Sequence, residues 1–451
     1  MIDVRSLTGQ TVAVFGLGRS GLASALALVE SGAHVAAWDD NPSSRDDAAD
    51  QGVPLVDPYV SDWSQPVALV FSPGIPQRYP QPHAIAAMAR QARVEIICDI
   101  ELLARSQPQA TLLGVTGTNG KSTTTALIGD ILEMAGSPVQ VGGNLGTPAL
   151  ELNPLGEDGT YVMEVSSYQL DLLSSAVFDI AVLLNLSPDH LHRHGGMAGY
   201  IEAKKIIFRG QGSRHTAIIG IDDEPGREIY RGLQNRGVQT VIPVSGHEAF
   251  AGAVYVVAGV LFDNGTAITD LSAVPSLAGD HNGQNAAAAY AACRAAGLSV
   301  EAIIAGLKSF PGLAHRQQRV SVVDGVTYVN DSKATNVAAA VRALACYRDI
   351  YWIAGGRAKQ GGYGALGDHL DHVRQVFLIG EAASDMATVL ADHVPCTRSE
   401  NLTNAVAQAR QAALAAGGGV VLLSPACASF DQFSNFEARG DFFRALCEGP
   451  S

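Results

Sequence analysis

The sequence predicts three successive α/β units, each built round a largely parallel sheet. Three observations carry this prediction. Short apolar runs alternate with helical patterns from Thr11 onward, the order of βαβ units. A glycine loop, Gly117-Thr118-Asn119-Gly120-Lys121-Ser122, follows one such run and opens a helix. A turn signal, Phe310-Pro311-Gly312, precedes a last set of alternating runs. The length of 451 residues agrees, since domains of roughly 100–200 residues would make about three.

The first unit, residues 1–99, begins with a strand at 11–15, a helix at 21–31 and a second strand at 35–38. A further strand at 67–71 leads into the turn Ser72-Pro73-Gly74-Ile75-Pro76. The second unit, 100–311, has a strand at 112–115, the glycine loop and a helix at 122–135. Apolar runs at 161–165, 180–185, 217–220 and 238–242 continue its sheet. A run at 254–261, the turn Asn264-Gly265 and a run at 266–270 predict one appended antiparallel hairpin. An alanine-rich helix at 283–296 follows. The third unit, 312–451, places strands at 326–330, 350–354, 376–379 and 420–423. The expected architecture is thus an N-terminal Rossmann-like domain, a central P-loop domain and a C-terminal Rossmann-like domain.

Composition narrows the function. Apolar residues make up 47% of the chain, enough for a core in each domain. The net charge of −14 argues against nucleic acid, whose binding needs a basic surface to release counterions. No apolar run reaches the ~18 residues of a membrane span, and residues 1–10 lack the apolar core of a secretory signal. The six cysteines are scattered without a C-x-x-C pair, so reduced, buried thiols are expected rather than disulfides or zinc knuckles. A cytoplasmic location and a monomer are expected.

Strand, glycine loop and helix together present backbone N–H groups and a helix N-terminus to phosphate. Lys121 would meet the β- and γ-phosphates of a nucleotide, and the hydroxyl of Ser122 or Thr123 would ligate Mg²⁺. The loop is a variant: Val115 stands where the strict pattern has its first glycine. A glycine turn carrying a surface lysine is the bland reading, and the flanking strand and helix weigh against it.

The form G-T-N-G-K-S resembles the loop of the Mur ligase family and its folylpolyglutamate synthetase relatives. Gly142-Gly143-Asn144-Leu145-Gly146, Glu164-Val165-Ser166-Ser167, Asp189-His190-Leu191, His281-Asn282 with Asn285, and His315-Arg316 resemble further signatures of its central domain. Asn330-Asp331-Ser332-Lys333-Ala334-Thr335-Asn336 and Ser424-Pro425-Ala426-Cys427-Ala428-Ser429 resemble the C-terminal signatures of its D-glutamate-adding branch. The resemblance spans essentially the whole chain in order. It implies an enzyme that uses ATP and Mg²⁺, two ions being expected, to join D-glutamate to UDP-N-acetylmuramoyl-L-alanine. The route runs through an acyl phosphate and a tetrahedral intermediate.

The resemblance also implies residue roles. Gly117, Thr118, Asn119, Gly120, Lys121, Ser122 and Thr123 would hold the triphosphate, with Asn282, Asn285, Arg316 and Asp331 contacting the rest of ATP. Ser122, Glu164, His190 and Lys204 would serve the metal ions, Lys204 as a carbamate. Lys121, Glu164, His190 and Lys204 form the expected catalytic set. From the residues alone, Lys204 and Lys205 would be an exposed helix face, and Glu164 could merely cap Ser166 or Ser167. His192 and His194 complete an alternating trio with His190, but the spacing is not that of a zinc motif; they are expected to be exposed or supporting. Arg316 lies beyond the turn at 310–312, so its role requires the third domain to close over the second. Thr335, Lys359, Ser429, Phe430 and Phe436 would bind D-glutamate, with core packing the competing reading of both phenylalanines.

The N-terminus carries its own fingerprint. Gly16-x-Gly18-x-x-Gly21 follows a strand and opens a helix, and Asp39-Asp40 stand about 20 residues on. Taken alone this suggests NAD, and an NAD-dependent oxidoreductase with an ATPase module is the alternative function. The physics requires only a diphosphate on a helix N-terminus and a carboxylate near a hydroxyl, which UDP satisfies equally. The resemblance assigns the UDP-linked substrate to Arg19, Ser20, Asp39, Ser72, Gly74, Asn144 and His190. A nucleotide-switched regulator is a third reading, distinguished by the absence of amide-forming chemistry.

Overall fold

The structure, a computed structural model, describes residues 1–144, 146–277, 279–358 and 362–448, the side chains at 280 and 281 excepted. Three sheets organise it. The first has four parallel strands in the order His34–Trp38, Thr11–Phe15, Ala68–Phe71, Glu95–Ile97. The second has nine strands. Its parallel heart runs Thr240–Ser245, Thr216–Gly220, Ile180–Leu183, Thr111–Thr116, Thr160–Glu164, Val139–Gly143. Strands such as Ile180–Leu183 and Thr160–Glu164 are buried along their whole length. That is why they read as continuous apolar runs rather than alternating ones.

The appended element differs from the single hairpin expected. The apolar run at 254–261 is broken by Ala258 and Gly259, with φ of 49° and 79°. Two successive left-handed residues make a tight hairpin turn. Val254–Val257, Val260–Asp263 and Thr266–Asp270 therefore form a three-stranded meander, whose second turn is the expected Asn264-Gly265. Val254–Val257 joins the main sheet in parallel beside Thr240–Ser245.

The chain divides into two compact units. Met1–Ser272 with Asp280–Phe310 carries the first two sheets, which share one apolar core running from Val12 and Val14 through Ile97 and Ile100 to Tyr161, Met163 and Leu183. The Ile2 amide also donates to the Leu150 carbonyl at 2.8 Å, tying the first residues to the second sheet's connections. Ala273–Gly279 with Pro311–Ser451 carries the third sheet, in the order Gln318–Val323, Val326–Asn330, Gly419–Leu423, Ile350–Gly355, Val373–Ile379, Cys396–Glu400. Only its first pair is antiparallel. Each face of this sheet has its own core, one around Trp352 and Leu366, the other around Phe377 and Phe443.

Glu101 shows how the first unit is held together. It is fully buried on the helix Asp99–Ser106. Its carboxylate accepts from the backbone N–H groups of Ser174, Ser175 and Ala176 at 2.9–3.0 Å, from the Ser175 hydroxyl, and from Arg105 at 2.8 Å. Burial alone would push this carboxyl's pKa up. The Ser175 hydroxyl and the three amides outweigh it and hold the group below the usual carboxylate range. Among the described residues no helix is long and apolar enough to cross a membrane, and all six cysteines are free thiols.

Replacing Glu101 with Gln leaves three amides competing for one carbonyl oxygen. A loss of roughly 1–3 kcal/mol is expected from the urea-unfolding midpoint of the full chain. Because the folded pKa is depressed, the wild-type advantage is full above the unfolded carboxyl's pKa of about 4.3. It shrinks as pH falls through the folded value.

Candidate functional site

Register builds the central site. In the parallel ladder Val115 lies opposite Glu164, and Thr116 opposite Leu183. The ends of three neighbouring strands therefore meet where the glycine loop begins, the edge at which parallel α/β sheets bind ligands. The helix Lys121–Met134 starts directly from the loop, with Gly120 as its N-cap at φ 82°. A Cβ at Gly120 would collide with Oδ1 of Asn285, so only glycine lets the loop pass that close to the helix Asp280–Ala295. Asn285 is buried, accepts from the Thr124 hydroxyl at 3.2 Å and donates to Oδ1 of Asn282 at 3.0 Å. The Asn282–Asn285 pair thus stands against the loop and the first turn of its helix.

Lys121 folds back over the loop, donating to the carbonyls of Gly117 and Thr118 at 3.0 and 2.9 Å. Ser122 and Thr123 are buried in the first helical turn. Of the two adjacent lysines, Lys205 is partly exposed and pairs with Glu202 at 2.7 Å. Lys204 is buried beneath the loop, its ammonium donating to the Thr116 hydroxyl at 2.8 Å and the Gly117 carbonyl at 3.0 Å. The exposed-face reading of this lysine is therefore wrong. Burial, reinforced by nearby Lys121, holds its pKa well below the ordinary lysine range, and Asp189 and Glu164 only partly oppose this.

Glu164 ends its strand 2% exposed. Oε1 accepts from the Asn144 side-chain amide at 2.8 Å, while Oε2 is buried without a hydrogen-bond partner among the described residues. A buried, half-satisfied carboxylate beside a phosphate-type loop suits a cation, since an unpaired anionic oxygen is costly. His190 adopts φ 50° at the start of a short 3-10 turn and is half exposed. Burial first, and then His192, Lys121 and His194, depress its pKa, with Asp189 opposing. The imidazole is therefore biased towards its neutral, ligating form. Among the described residues no three His, Cys, Asp or Glu side chains converge as a ready-made metal cage. Mg²⁺ seldom uses such a cage, taking one or two protein oxygens and completing its shell with waters and phosphates.

The neighbouring histidines separate. His192 is exposed. His194 is buried, between the Ser167 hydroxyl at 2.9 Å and Asp171 at 3.3 Å, and stacked on Tyr168. It supports the site's wall rather than facing solvent.

The first sheet's edge lies in the same unit. Asp39 accepts from the Leu17 amide at 2.6 Å and the Asn41 amide at 2.8 Å, so its carboxylate pins the Gly16–Gly21 turn to the end of the next strand. Arg19 donates to the Gly146 carbonyl at 2.7 Å, and Arg193 to the Gly74 carbonyl at 2.9 Å. Ser20 and Ser72 are half-buried at this edge, Ser72 held by its amide to the Phe15 carbonyl. These bonds link the first sheet's turns to the loops carrying Asn144 and His190. Leu145 lies outside the described residues.

In the second compact unit, Asp331 is buried and accepts from the Ser424 hydroxyl at 2.8 Å and the Gln317 amide at 3.1 Å; burial pushes its pKa up to about 7. Arg316 sits near enough to oppose that shift. Thr335 follows in the same turn, its amide on the Lys333 carbonyl. Lys333 lies 5.5 Å over the Phe436 ring, at the start of the helix Phe436–Glu448. Ser429 is buried, whereas Phe430 is 61% exposed, which rules out core packing for that ring. Lys359 lies outside the described residues.

Several residues at these sites had no expected role. Asn185 accepts from the Asn119 amide at 2.8 Å and donates to its carbonyl and to Gln284. Tyr200 bonds the Thr118 hydroxyl at 3.0 Å, and Thr116 holds Lys204. Asn185 was detectable in principle as a polar residue just beyond a buried parallel strand. Arg439, fully buried, spans the Ser332 and Cys427–Ala428 backbones and left no such signal.

Two family descriptions match the chain. Residues 115–293 match the Mur ligase middle domain, and residues 315–427 match the Mur ligase glutamate ligase domain. A UDP-N-acetylmuramoylalanine–D-glutamate ligase of Rhodospirillum rubrum is 50% identical over 457 residues, covering 99% of this chain and 96% of that protein. One of the same name from Caulobacter vibrioides is 50% identical over 460 residues, covering 100% and 98%. Among solved structures, the UDP-N-acetylmuramate–alanine ligase MurC of Thermotoga maritima superposes with a TM-score of 0.58 at 16% identity, covering 96% of this chain and 98% of that one. At that identity the likeness concerns the fold.

Gly120→Ala tests the loop geometry. The substitution combines a strained φ with pressure on Asn285. It is expected to weaken binding of a non-hydrolysable ATP analogue by at least about tenfold in calorimetric titration. Unchanged affinity would show that close approach of the loop to Asn285 is not what shapes the site.

Proposed function

The chain belongs to the Mur ligase family, and on that footing we propose that it joins D-glutamate to UDP-N-acetylmuramoyl-L-alanine, forming an amide at the expense of ATP. The observation that carries the reading is the meeting of Lys121, Lys204 and the half-satisfied carboxylate of Glu164 at one sheet edge. It is supported by near-full-length relatives of that name at 50% identity. Carboxylate attack on a γ-phosphate brings several negative charges together. Such a site needs fixed cations and backbone donors more than a strong acid or base.

Residues 1–99 would hold the UDP moiety, 100–311 the ATP and 312–451 the amino acid. The loop amides and Lys121 position the triphosphate. Arg316, Asp331, Asn282 and Asn285 are assigned to its nucleoside side. The substrate carboxylate takes the γ-phosphoryl group and releases ADP. The D-glutamate amine then attacks the acyl carbon, and the tetrahedral adduct loses phosphate to leave the amide. Thr335, Lys359, Ser429, Phe430 and Phe436 are assigned to the acceptor, with Lys359 and Ser429 answering its carboxylates.

Ser122, Glu164 and His190 would hold Mg²⁺, which when bound supplies the charge neutralisation that phosphoryl transfer demands. Lys204 is assigned as a carbamate. Burial lowers its pKa and so favours the neutral amine, the form that would add carbon dioxide and lose a proton to become an anionic oxygen ligand. The fingerprint at Gly16–Gly21 is assigned to UDP rather than to NAD.

Phosphate release with UDP-N-acetylmuramoyl-L-alanine, measured across a panel of amino acids, is expected to require D-glutamate. Preference for another acceptor, or saturable NAD binding without ADP release, would overturn the assignment. Lys121→Ala should lower kcat by about 100-fold or more, the range for losing one fixed transition-state donor. With ¹³C-bicarbonate, the wild-type protein should show a carbamate carbon resonance that Lys204→Arg lacks; its absence from the wild type would remove the carbamate from the site.

A further inference from the structure

The helix Phe436–Glu448 carries a buried arginine that no step above uses. Arg439 is 1% exposed. Its guanidinium donates to the Ser332 hydroxyl at 3.0 Å, the Ser332 carbonyl at 2.9 Å, the Cys427 carbonyl at 3.2 Å and the Ala428 carbonyl at 3.3 Å. A Cβ on Gly356 would also come within 3.2 Å of it. The three segments that converge on this side chain are Asn330–Thr335, Ser424–Ser429 and the turn at Gly355–Gly356. They carry, or directly precede, the residues assigned to the acceptor amino acid; Asp331, assigned to ATP, lies in the first but is held by Ser424 and Gln317 rather than by Arg439.

The acceptors are neutral. Among the described residues Arg439 makes no ion pair, and Asp431 is the carboxylate that most favours its charge. Burial lowers its pKa only to about 10, so it stays protonated at neutral pH. Buried charges are ordinarily paired, because leaving water is costly. Carbonyl dipoles can solvate this cation but do not cancel its field. The fork fixes the backbone of two loops at once, as a planar guanidinium can and a lysine cannot.

We propose that Arg439 is a positioning residue of the acceptor site, bracing its loops and lending them an uncancelled positive charge that favours an acidic amino acid. The proposal rests on the D-glutamate reading above. It gives the site a reason to prefer a dicarboxylate beyond the side chains in direct reach of one. Asp431, whose Oδ2 accepts from the Glu381 amide at 3.1 Å, tempers that charge.

The test is steady-state kinetics on the full chain, with thermal unfolding to confirm folding. Arg439→Gln should raise the KM for D-glutamate about tenfold or more while the KM for ATP stays within about twofold, tenfold being about 1.4 kcal/mol. Arg439→Lys keeps the charge and loses the fork, and should raise the KM for D-glutamate clearly less. Asp431→Asn keeps an acceptor for the Glu381 amide and should lower it. Equal rises in the Lys and Gln variants, or parallel rises for ATP and D-glutamate, would reduce Arg439 to a structural brace and overturn the proposal. If Arg439→Gln does not fold, Asp431→Asn decides, an unchanged or higher KM overturning it. A wild-type enzyme that ignores D-glutamate would instead overturn the reading beneath it.

Discussion

The ladder between Thr111–Thr116 and its two neighbours is the constraint on which the central site depends. Parallel pairing sets Glu164 beside Val115, and Leu183 beside Thr116, so the glycine loop emerges between a carboxylate and the turn carrying Asn185. A slip of one residue would turn each of these side chains to the opposite face. The loop, the buried carboxylate of Glu164 and the asparagine that clamps Asn119 are thus fixed by one set of backbone bonds.

On that scaffold the electrostatics are deliberately unbalanced. Lys121 and Lys204 share the carbonyl of Gly117, and burial, reinforced by Lys121, lowers the pKa of Lys204. Glu164 offers one oxygen already satisfied and another that is not. Such a site is less stable than a neutral core of the same volume, and that cost is the usual companion of groups held ready for anionic ligands. The second compact unit repeats the pattern with Asp331 and Arg439, each buried and neither, among the described residues, in an ion pair.

Much of this was legible in the sequence because strong local rules governed it. The strands at 11–15 and 326–330 fall where the apolar runs place them, and the Asn264-Gly265 turn is where hairpin chemistry puts it. Edge strands such as Val139–Gly143 and Cys396–Glu400 left no such trace, because their burial is partial and their composition mixed. The break at Ala258-Gly259 was hidden by an alanine in a left-handed conformation that its type rarely adopts. The glycine loop before its helix, and Glu164 at the end of a buried strand, stand where the pattern placed them. The depth of Lys204 was not legible, since a lysine pair on a helix ordinarily faces water. Asn185 on Asn119, Tyr200 on Thr118 and Arg439 on Ser332 act through tertiary contacts between residues 66 to 107 positions apart, which no local window contains.

The division of the chain has a consequence for how the molecule could have been assembled. The short piece Ala273–Gly279 sits in the second compact unit, although both its flanks belong to the first. The backbone therefore crosses the boundary three times. A gene fragment beginning at Pro311 would encode a unit missing part of its own fabric, and one ending at Phe310 would carry an orphaned loop. Neither unit is one unbroken stretch of the polypeptide, so a single cut after Phe310 does not part them cleanly.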